Sequence, residues 1–366
     1  MKFGTTKDRL LKGVQLAERI VGKKETLPVL SCILIEANGH EVVLRATNLE
    51  AGIEVSCPAE VNEQGTVAVP ATILSQTLRA VSGDKVTVHA DDGNLVIESR
   101  GSKNVLKAIP HDEFPALPAH QEGVALALPR EKFLEGLQSV LYAASPSMIR
   151  PELGSVFVSV SEEGLVCAAT DSFRLAEKKV PGTRAAETKE ILIPLKHATE
   201  LSHVLEHLSA PTVEVYADDS QLIATGDGTR FISRVIDGSF PNYKEIIPKT
   251  FTTEATVLKA DFSELLRKAR VFAGSEQNIA FHAYPARKIF TATARSADVG
   301  EMSDTVEAAL SGEDIDINFH IGYLADFLAS VRADSIVLGF SGQARPLVIR
   351  GVGDTGFTYL VMPLNR

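Results

Sequence analysis

Long apolar runs are absent from this sequence: none approaches the roughly 18 residues that a membrane-spanning helix needs. The opening Met1-Lys2-Phe3-Gly4-Thr5-Thr6 has no apolar core of the secretory kind, so a cytosolic chain without a membrane partner is expected. Cysteine is scarce. Cys32, Cys57 and Cys167 are odd in number, widely spaced and set in apolar contexts, which predicts buried thiols rather than disulfides or a metal site. Excess positive charge is missing too, since 37 Lys and Arg face 47 Asp and Glu for a formal net charge of -10. That argues against a tight, sequence-reading nucleic-acid binder but leaves room for loose backbone contact by a local basic face. No G-x-x-x-x-G-K-[ST] phosphate loop and no G-x-S-x-G elbow occurs, so neither a cofactor nor a catalytic residue is expected.

What is present is a repeat. Hydrophobic content of 45% and charged content of 23% are those of a globular chain with real cores. Ala169-Thr170 recurs as Ala46-Thr47, 123 residues earlier, and as Ala292-Thr293, 123 residues later, each time after an alternating apolar segment. Val86 to Asp92 parallels Val213 to Asp219, and Phe114-Pro115 parallels Phe240-Pro241. A period of a third of the chain marks a triplicated unit.

The element pattern repeats in the same order. Helices are predicted at 8–21 and 71–81, with strands at 29–37, 41–47, 51–57, 85–90, 94–99 and 103–109. In the first helix Leu10, Val14, Ala17 and Val21 share a face, Arg9, Lys12 and Arg19 lie nearly opposite, and Leu16 falls on the polar side. The second unit reads as a helix at 129–143, strands at 154–160 and 164–169, and a helix at 195–208. The third reads as a helix at 262–272 behind an Asp261/Glu264 capping box, a helix at 322–332, and strands at 335–340, 345–350 and 356–361. The expected class is α+β: three domains, 1–120, 121–249 and 250–366, each an antiparallel sheet with two helices.

One enzyme pattern competes. His203-Val204-Leu205-Glu206-His207 fits H-x-x-E-H, in which two histidines one helical turn apart bind zinc and the glutamate is the base. Against a zinc-dependent hydrolase, this helix is the second of a repeat unit, and its counterparts near Arg79 and Arg332 keep basic character without the motif. A protein-interaction scaffold without a DNA role would carry the same repeats.

Four separated stretches resemble the bacterial sliding clamps, the beta subunits of DNA polymerase III. They are Thr26-Leu27-Pro28-Val29-Leu30, Ala169-Thr170-Asp171 with Arg174-Leu175-Ala176, Asp237 to Tyr243, and Tyr359 to Leu364. The resemblance covers the whole chain and implies a non-catalytic processivity subunit with the DNA-clamp fold. It implies a head-to-tail homodimer closed into a ring of six domains, with twelve helices around double-stranded DNA held topologically and without sequence preference. Implied partners are the replicative polymerase alpha subunit, the clamp loader, and repair and translesion polymerases. Implied DNA-facing residues are Arg9, Lys12, Arg19, Lys24, Arg79, Lys132, Lys196 and His203, while Thr72 and Ile73 depart from a basic pattern.

The resemblance also implies a peptide pocket between the second and third domains. Its wall would take Leu153, Thr170, Ser172, Phe173, Arg174 and Leu175, with Pro241, Ile246 and Ile247. His320, Tyr323 and Pro346 would join from the last domain, and Leu360, Val361, Met362, Pro363 and Leu364 from the tail. An apolar groove of this kind takes Leu and Phe anchors from a disordered segment. Phe173 replaces a frequent His, Glu245 a frequent base, and Asn365-Arg366 extend past the apolar run, so the preferred partner sequence stays open. The implied dimer contact joins Val271 and Phe272 to a region from Asn104 to Leu106 of the other chain.

Overall fold

The computed structural model describes residues 1–22, 27–118, 126–183, 185 and 188–364. Six α-helices occur among the described residues: α1 (Lys7–Glu18), α2 (Ala71–Ala80), α3 (Arg130–Gln138), α4 (Leu195–His207), α5 (Lys259–Phe272) and α6 (Ile321–Asp326). All named strand pairings are antiparallel, as alternating segments joined by tight turns require. No helix of the described residues is long and apolar enough to cross a membrane.

Two compact bodies emerge, one of residues 1–131 and 199–235, the other of 132–198 and 236–366. They divide along a different line from the expected repeat boundaries, because the middle repeat contributes to both. The first body contains an eight-stranded sheet that sets Leu126–Pro129, Thr212–Ala217, Gln221–Gly226 and Thr229–Arg234 beside Ala51–Pro58, Glu41–Thr47, Cys32–Asn38 and Gly65–Pro70. Its five-stranded sheet ends on the edge strand Ser102–Lys107. In the second body, a nine-stranded sheet continues from Lys189–Pro194, Ser155–Ser161, Gly164–Thr170 and Arg174–Val180 into Phe357–Val361, Leu347–Gly351, Ser335–Phe340, Thr253–Leu258 and Ala308–Gly312. Its four-stranded sheet ends on Gly300–Thr305 at one edge and Ile315–His320 at the other.

The Ala-Thr repeat has a structural reason in the first two copies. Thr47 Oγ1 donates to the Ala51 carbonyl at 2.9 Å, and Thr170 Oγ1 to the Arg174 carbonyl at 2.7 Å. Both hydroxyls accept from a backbone N–H two residues on, at Leu49 and Ser172, whose φ values are 73° and 78°. The residue after each threonine closes the same turn: Asn48 Oδ1 accepts from Glu50 and Ala51, and Asp171 Oδ1 from Phe173 and Arg174.

A second equivalence runs through all three copies. The first helix of each repeat opens on a base whose backbone N–H donates to a carbonyl beyond the second helix: Lys7 to Asp84 at 2.8 Å, Arg130 to Pro211 at 2.9 Å and Lys259 to Asp334 at 2.8 Å. Their side chains take further carbonyls there, Lys7 at Val81, Arg130 at Leu205 and Ala210, and Lys259 at Val331. One cation thus satisfies carbonyls left over past a helix end.

Several expectations need correction. Leu16 is 7% exposed, because α1 packs against both α2 and the sheet and so is covered on more than one face. α1 ends at Glu18, short of Gly22. Helix α5 begins at Lys259, so Asp261 sits in its first turn rather than at the cap; strand Thr253–Leu258 feeds straight into it, and Glu264 pairs with Lys268 at 3.0 Å. The helix expected at 322–332 is α6 followed by a 3-10 turn, Phe327–Ala329, and 129–143 divides into a strand ending at Pro129, α3 and a 3-10 turn. The three cysteines are buried and free, and burial pushes the thiols of Cys57 and Cys167 up to about 11 and about 12.

Candidate functional site

At one end of the nine-stranded sheet, strand Arg174–Val180 pairs with Phe357–Val361, which pairs in turn with Leu347–Gly351. Register sets Leu175 opposite Leu360 and Leu360 opposite Val348, so the three form an apolar row on one face. Tyr243 packs on that row, with Phe240, Ile247 and Phe251 beside it. Phe240 stacks on Phe157 with ring centroids 5.1 Å apart.

Alternation turns Arg174 to the other face. Its Nε donates to Asp171 Oδ2 at 3.0 Å, its Nη1 donates to Asp326 Oδ2, and its guanidinium lies 4.5 Å from the Tyr323 ring centroid. The Tyr359 hydroxyl donates to the Tyr323 carbonyl at 2.8 Å, and Tyr142 lies on the same side. The His320 ring contacts that of Tyr323 at 4.3 Å, and its Nδ1 accepts from the Tyr323 N–H, so it caps α6 in its neutral form. Burial, with Arg174 nearby, holds the His320 pKa below its ordinary value.

The expected pocket residues therefore gather at one end of one sheet but on both of its faces. Phe173 (61%) and Ile246 (55%) are open to solvent, as are Ser172 and Leu364. Pro241, Ile247, His320, Tyr323, Met362 and Pro363 are half-buried. Leu153, Thr170, Leu175, Pro346, Leu360 and Val361 are buried. Leu360 and Val361 of the tail strand were expected in the pocket wall. That strand is instead covered on both faces through Val361, with Tyr243 packed on the Leu360 side and Phe327 and Tyr323 against Tyr359 on the other. Past it, the Met362 N–H donates to the Phe173 carbonyl at 2.8 Å and that of Leu364 to Asn318 at 2.9 Å, which holds the tail against the turn. Tyr142, Glu177, Tyr243 and Asp326 belong to this cluster and were not anticipated. Only Tyr243 had a signal, at the end of the quoted Asp237 to Tyr243 stretch.

Among the expected basic residues, Arg9 and Lys12 on α1 and Lys196 on α4 are exposed without an ion pair among the described residues. Arg19 is neutralised by Glu200 at 2.6 Å, and Arg79 lies 4.0 Å from Glu18. Lys132 donates to the Pro181 carbonyl at 3.1 Å, and His203 Nδ1 lies 3.3 Å from Glu206. Lys24 falls outside the described residues. Arg267 and Arg270, exposed on α5, were missed.

The H-x-x-E-H segment does form a helix, yet His207 Nδ1 is spent on its own helix at the His203 carbonyl, 2.8 Å away. No group of three or more His, Cys, Asp or Glu placed to hold a metal occurs among the described residues, so the zinc reading has no support. Of the expected contact residues, Val271 is 62% exposed and Phe272 half-buried at the end of α5, and Asn104 is half-buried. Leu106 is 4% exposed in its own core, so on this edge strand the exposed apolar residue is Val105, at 58%.

Comparison with known proteins accounts for the chain from end to end. Residues 1–118 match the family model for the DNA polymerase III beta subunit, N-terminal domain; 127–242 match its central domain and 244–365 its C-terminal domain. The beta sliding clamp of Synechococcus elongatus is 28% identical over 372 residues, covering 100% of this chain and 99% of that one. That of Bacillus subtilis is 28% identical over 381 residues, covering 100% of both. The crystal structure of the Thermotoga maritima DNA polymerase III beta subunit superposes with a TM-score of 0.95 at 26% identity, over 100% of this chain and 99% of that one. The Bacillus subtilis sliding clamp does so with a TM-score of 0.93 at 26% identity, with the same coverage.

Proposed function

The chain belongs to the DNA polymerase III beta-subunit family, the sliding clamps, and on that premise we propose that its basic helix faces hold duplex DNA while the end of its nine-stranded sheet holds the polymerase. It is a non-catalytic processivity factor in DNA replication, binding DNA and polymerase partners. The observation that carries the reading is the threefold repeat itself, with a family domain matched to each third. We take 1–120, 121–249 and 250–366 as its three domains, and the cytoplasm as its place of action.

The working form is a homodimeric ring. Both internal repeat boundaries are bridged by continuous sheets, the eight- and the nine-stranded ones. The five-stranded sheet of the first repeat and the four-stranded sheet of the third stay separate, with edge strands Ser102–Lys107 and Gly300–Thr305. An unpaired edge is a template for another chain, so the first repeat of one molecule joins the third repeat of a second. Val105, Asn104, Val271 and Phe272 supply the side chains of that contact.

Polymerase and clamp-loader subunits dock short Leu- and Phe-bearing segments against Met362, Ile247, Pro241 and Phe173, with repair and translesion polymerases competing for the same place. DNA is held by linkage, and Lys12 and Lys196 add sequence-blind phosphate contacts. The test is retention on nicked circular DNA after loading by a clamp loader and ATP, compared with the same circle linearised. Loss on linearisation is expected, together with weaker loading and unchanged sequence preference for Lys12→Ala with Lys196→Ala. Equal retention on both forms at physiological salt overturns the ring, and no retention on either favours a scaffold without a DNA role.

A further inference from the structure

The two compact bodies build the same junction twice, and the difference between the copies bears on how the peptide groove opens. In the first body the row equivalent to Leu175, Leu360 and Val348 is Gly52, Ile232 and Ile223, in the same register. Phe114-Pro115 stands where the second body has Phe240-Pro241, so Leu117 corresponds to Tyr243. Leu117 lies directly on Gly52: a β-carbon added there would fall 2.6 Å from Leu117 Cδ2. Glu54, the counterpart of Glu177, pairs with Arg45 at 2.8 Å and Arg230 at 2.6 Å, and Arg230 Nη1 donates to the Pro118 carbonyl at 2.6 Å. Arg230, itself held by Glu54, and a seated leucine pin this connecting segment to its sheet.

In the second copy the polar tie of the connecting segment to its sheet is a tyrosine hydroxyl instead of an arginine. Leu175 fills the place that Gly52 leaves open, and Tyr243 covers the row, its hydroxyl donating to Glu177 Oε2 at 2.7 Å. In place of two arginines Glu177 has Lys179, 3.3 Å away on a side chain 55% exposed. Burial and then the Glu177 carboxylate push the Tyr243 pKa up, so its hydroxyl stays a donor across the physiological range. Beneath it Leu175, Val348 and Leu360 are 6%, 2% and 3% exposed, too little for a ligand side chain to reach.

We infer that the segment from Phe240 to Ile247 is a lid on the peptide groove, latched by the hydrogen bond from Tyr243 to Glu177, and that an apolar anchor of a partner peptide reaches Leu175, Val348 and Leu360 when the latch releases. The inference rests on the peptide-groove reading above. Tyr243 and Glu177 are positioning residues: they set the fraction of molecules with an open row, and apparent affinity falls by that fraction. The first body, doubly pinned and filled by Leu117, stays sealed, so each chain takes one peptide.

Binding of a short synthetic peptide with adjacent Leu and Phe side chains, measured on the full chain by calorimetry and stopped flow, tests this. Tyr243→Phe removes the hydroxyl alone, and losing one hydrogen bond to a charged group is expected to raise affinity and association rate roughly tenfold. Glu177→Gln keeps an acceptor and falls between Tyr243→Phe and the parent. A merely structural role predicts weaker binding instead. Amide exchange supplies a second readout: residues 240–247 exchange faster in Tyr243→Phe than in the parent. Unchanged or weaker binding, with unchanged exchange, overturns the lid. If Leu175→Ala with Met362→Ala binds as the parent does, the groove reading fails first. If that pair abolishes binding while Tyr243→Phe gains nothing, only the lid fails.

Discussion

Replacing Arg174 by alanine should destabilise the second body and leave the first untouched. The side chain is 12% exposed and bonds to Asp171, itself 10% exposed, and to Asp326, which is 42% exposed. Asp326 rehydrates when the arginine goes, so little is charged to it. Asp171 is left short of its cation in a place water hardly reaches, though it keeps two backbone N–H donors. Breaking a buried pair costs about 3–5 kcal/mol, and those retained donors put this case at the low end. Loss of the stacking on Tyr323 adds about 0.5–1 kcal/mol. A net cost of about 3.5–4 kcal/mol corresponds, for a body of this size, to a fall of roughly 7–16 °C in its unfolding temperature. Two bodies need not melt together, so calorimetry of the full chain should show only one transition moving. Arg174→Lys should recover little, because a compact ammonium has neither the fork for two carboxylates nor the plane for Tyr323. A shift below about 2 °C, or equal shifts in both transitions, would refute the assignment of Arg174 as the tie between the 170–174 turn and α6.

Two further outcomes are expected. The depressed pKa of His320, which faces Arg174, Asp326 and Asp171, means that the unfolded chain takes up this proton more readily than the folded one. Its contribution to stability is present above the unfolded value of about 6.5 and is lost as pH falls through the folded value, so NMR titration should place the His320 midpoint below 6.5. A midpoint at or above that value would remove its role as a neutral cap. At the proposed dimer contact, Val105→Asp or Phe272→Asp should give monomers by light scattering, since each large apolar side chain buried there would contribute about 1.5–3 kcal/mol. Leu106→Asp should unfold the first body instead, and an unchanged dimer mass for Val105→Asp would move the interface elsewhere.

The repeat was legible because each copy marks the same place: small alanines under a helix, then a threonine that in two copies closes a turn with its own hydroxyl. Fold class and nearly all helices followed from periodicity. The strands that precede the first helices, Lys2–Thr6, Leu126–Pro129 and Thr253–Leu258, were not anticipated. They run into the helix without a turn, so nothing punctuates them. Motif residues brought Arg174, Leu175 and Met362 to the site. Glu177 stayed hidden because a glutamate in an alternating strand reads as solvent-facing, while here it is 3% exposed. The segment packed over that face decides it, with the Tyr243 hydroxyl donating to Glu177 at 2.7 Å, and no local pattern encodes which face a distant segment will cover.

Charge explains why closure is needed at all. Arg9, Lys12 and Lys196, with Arg267 and Arg270, are five exposed cations on helix faces without an ion pair among the described residues, so through them a dimer would neutralise on the order of ten phosphates. Contacts of that number lose about 10³–10⁵ in affinity between 50 and 200 mM salt, and non-specific binding at physiological salt is typically about 10⁻⁴–10⁻⁶ M. The chain works against this further, since its formal net charge of -10 repels the duplex wherever those faces are not in contact. An open form with these residues would leave DNA within the time a polymerase needs for a few steps. A closed one need not bind tightly, because departure requires an end or a broken interface. Weak, sequence-blind contacts then become an advantage, since they let the ring move with the polymerase docked at its groove. The acidic composition and the DNA-holding role are therefore reconciled by a closed ring, the closure that the proposed pairing of the two edge strands would supply.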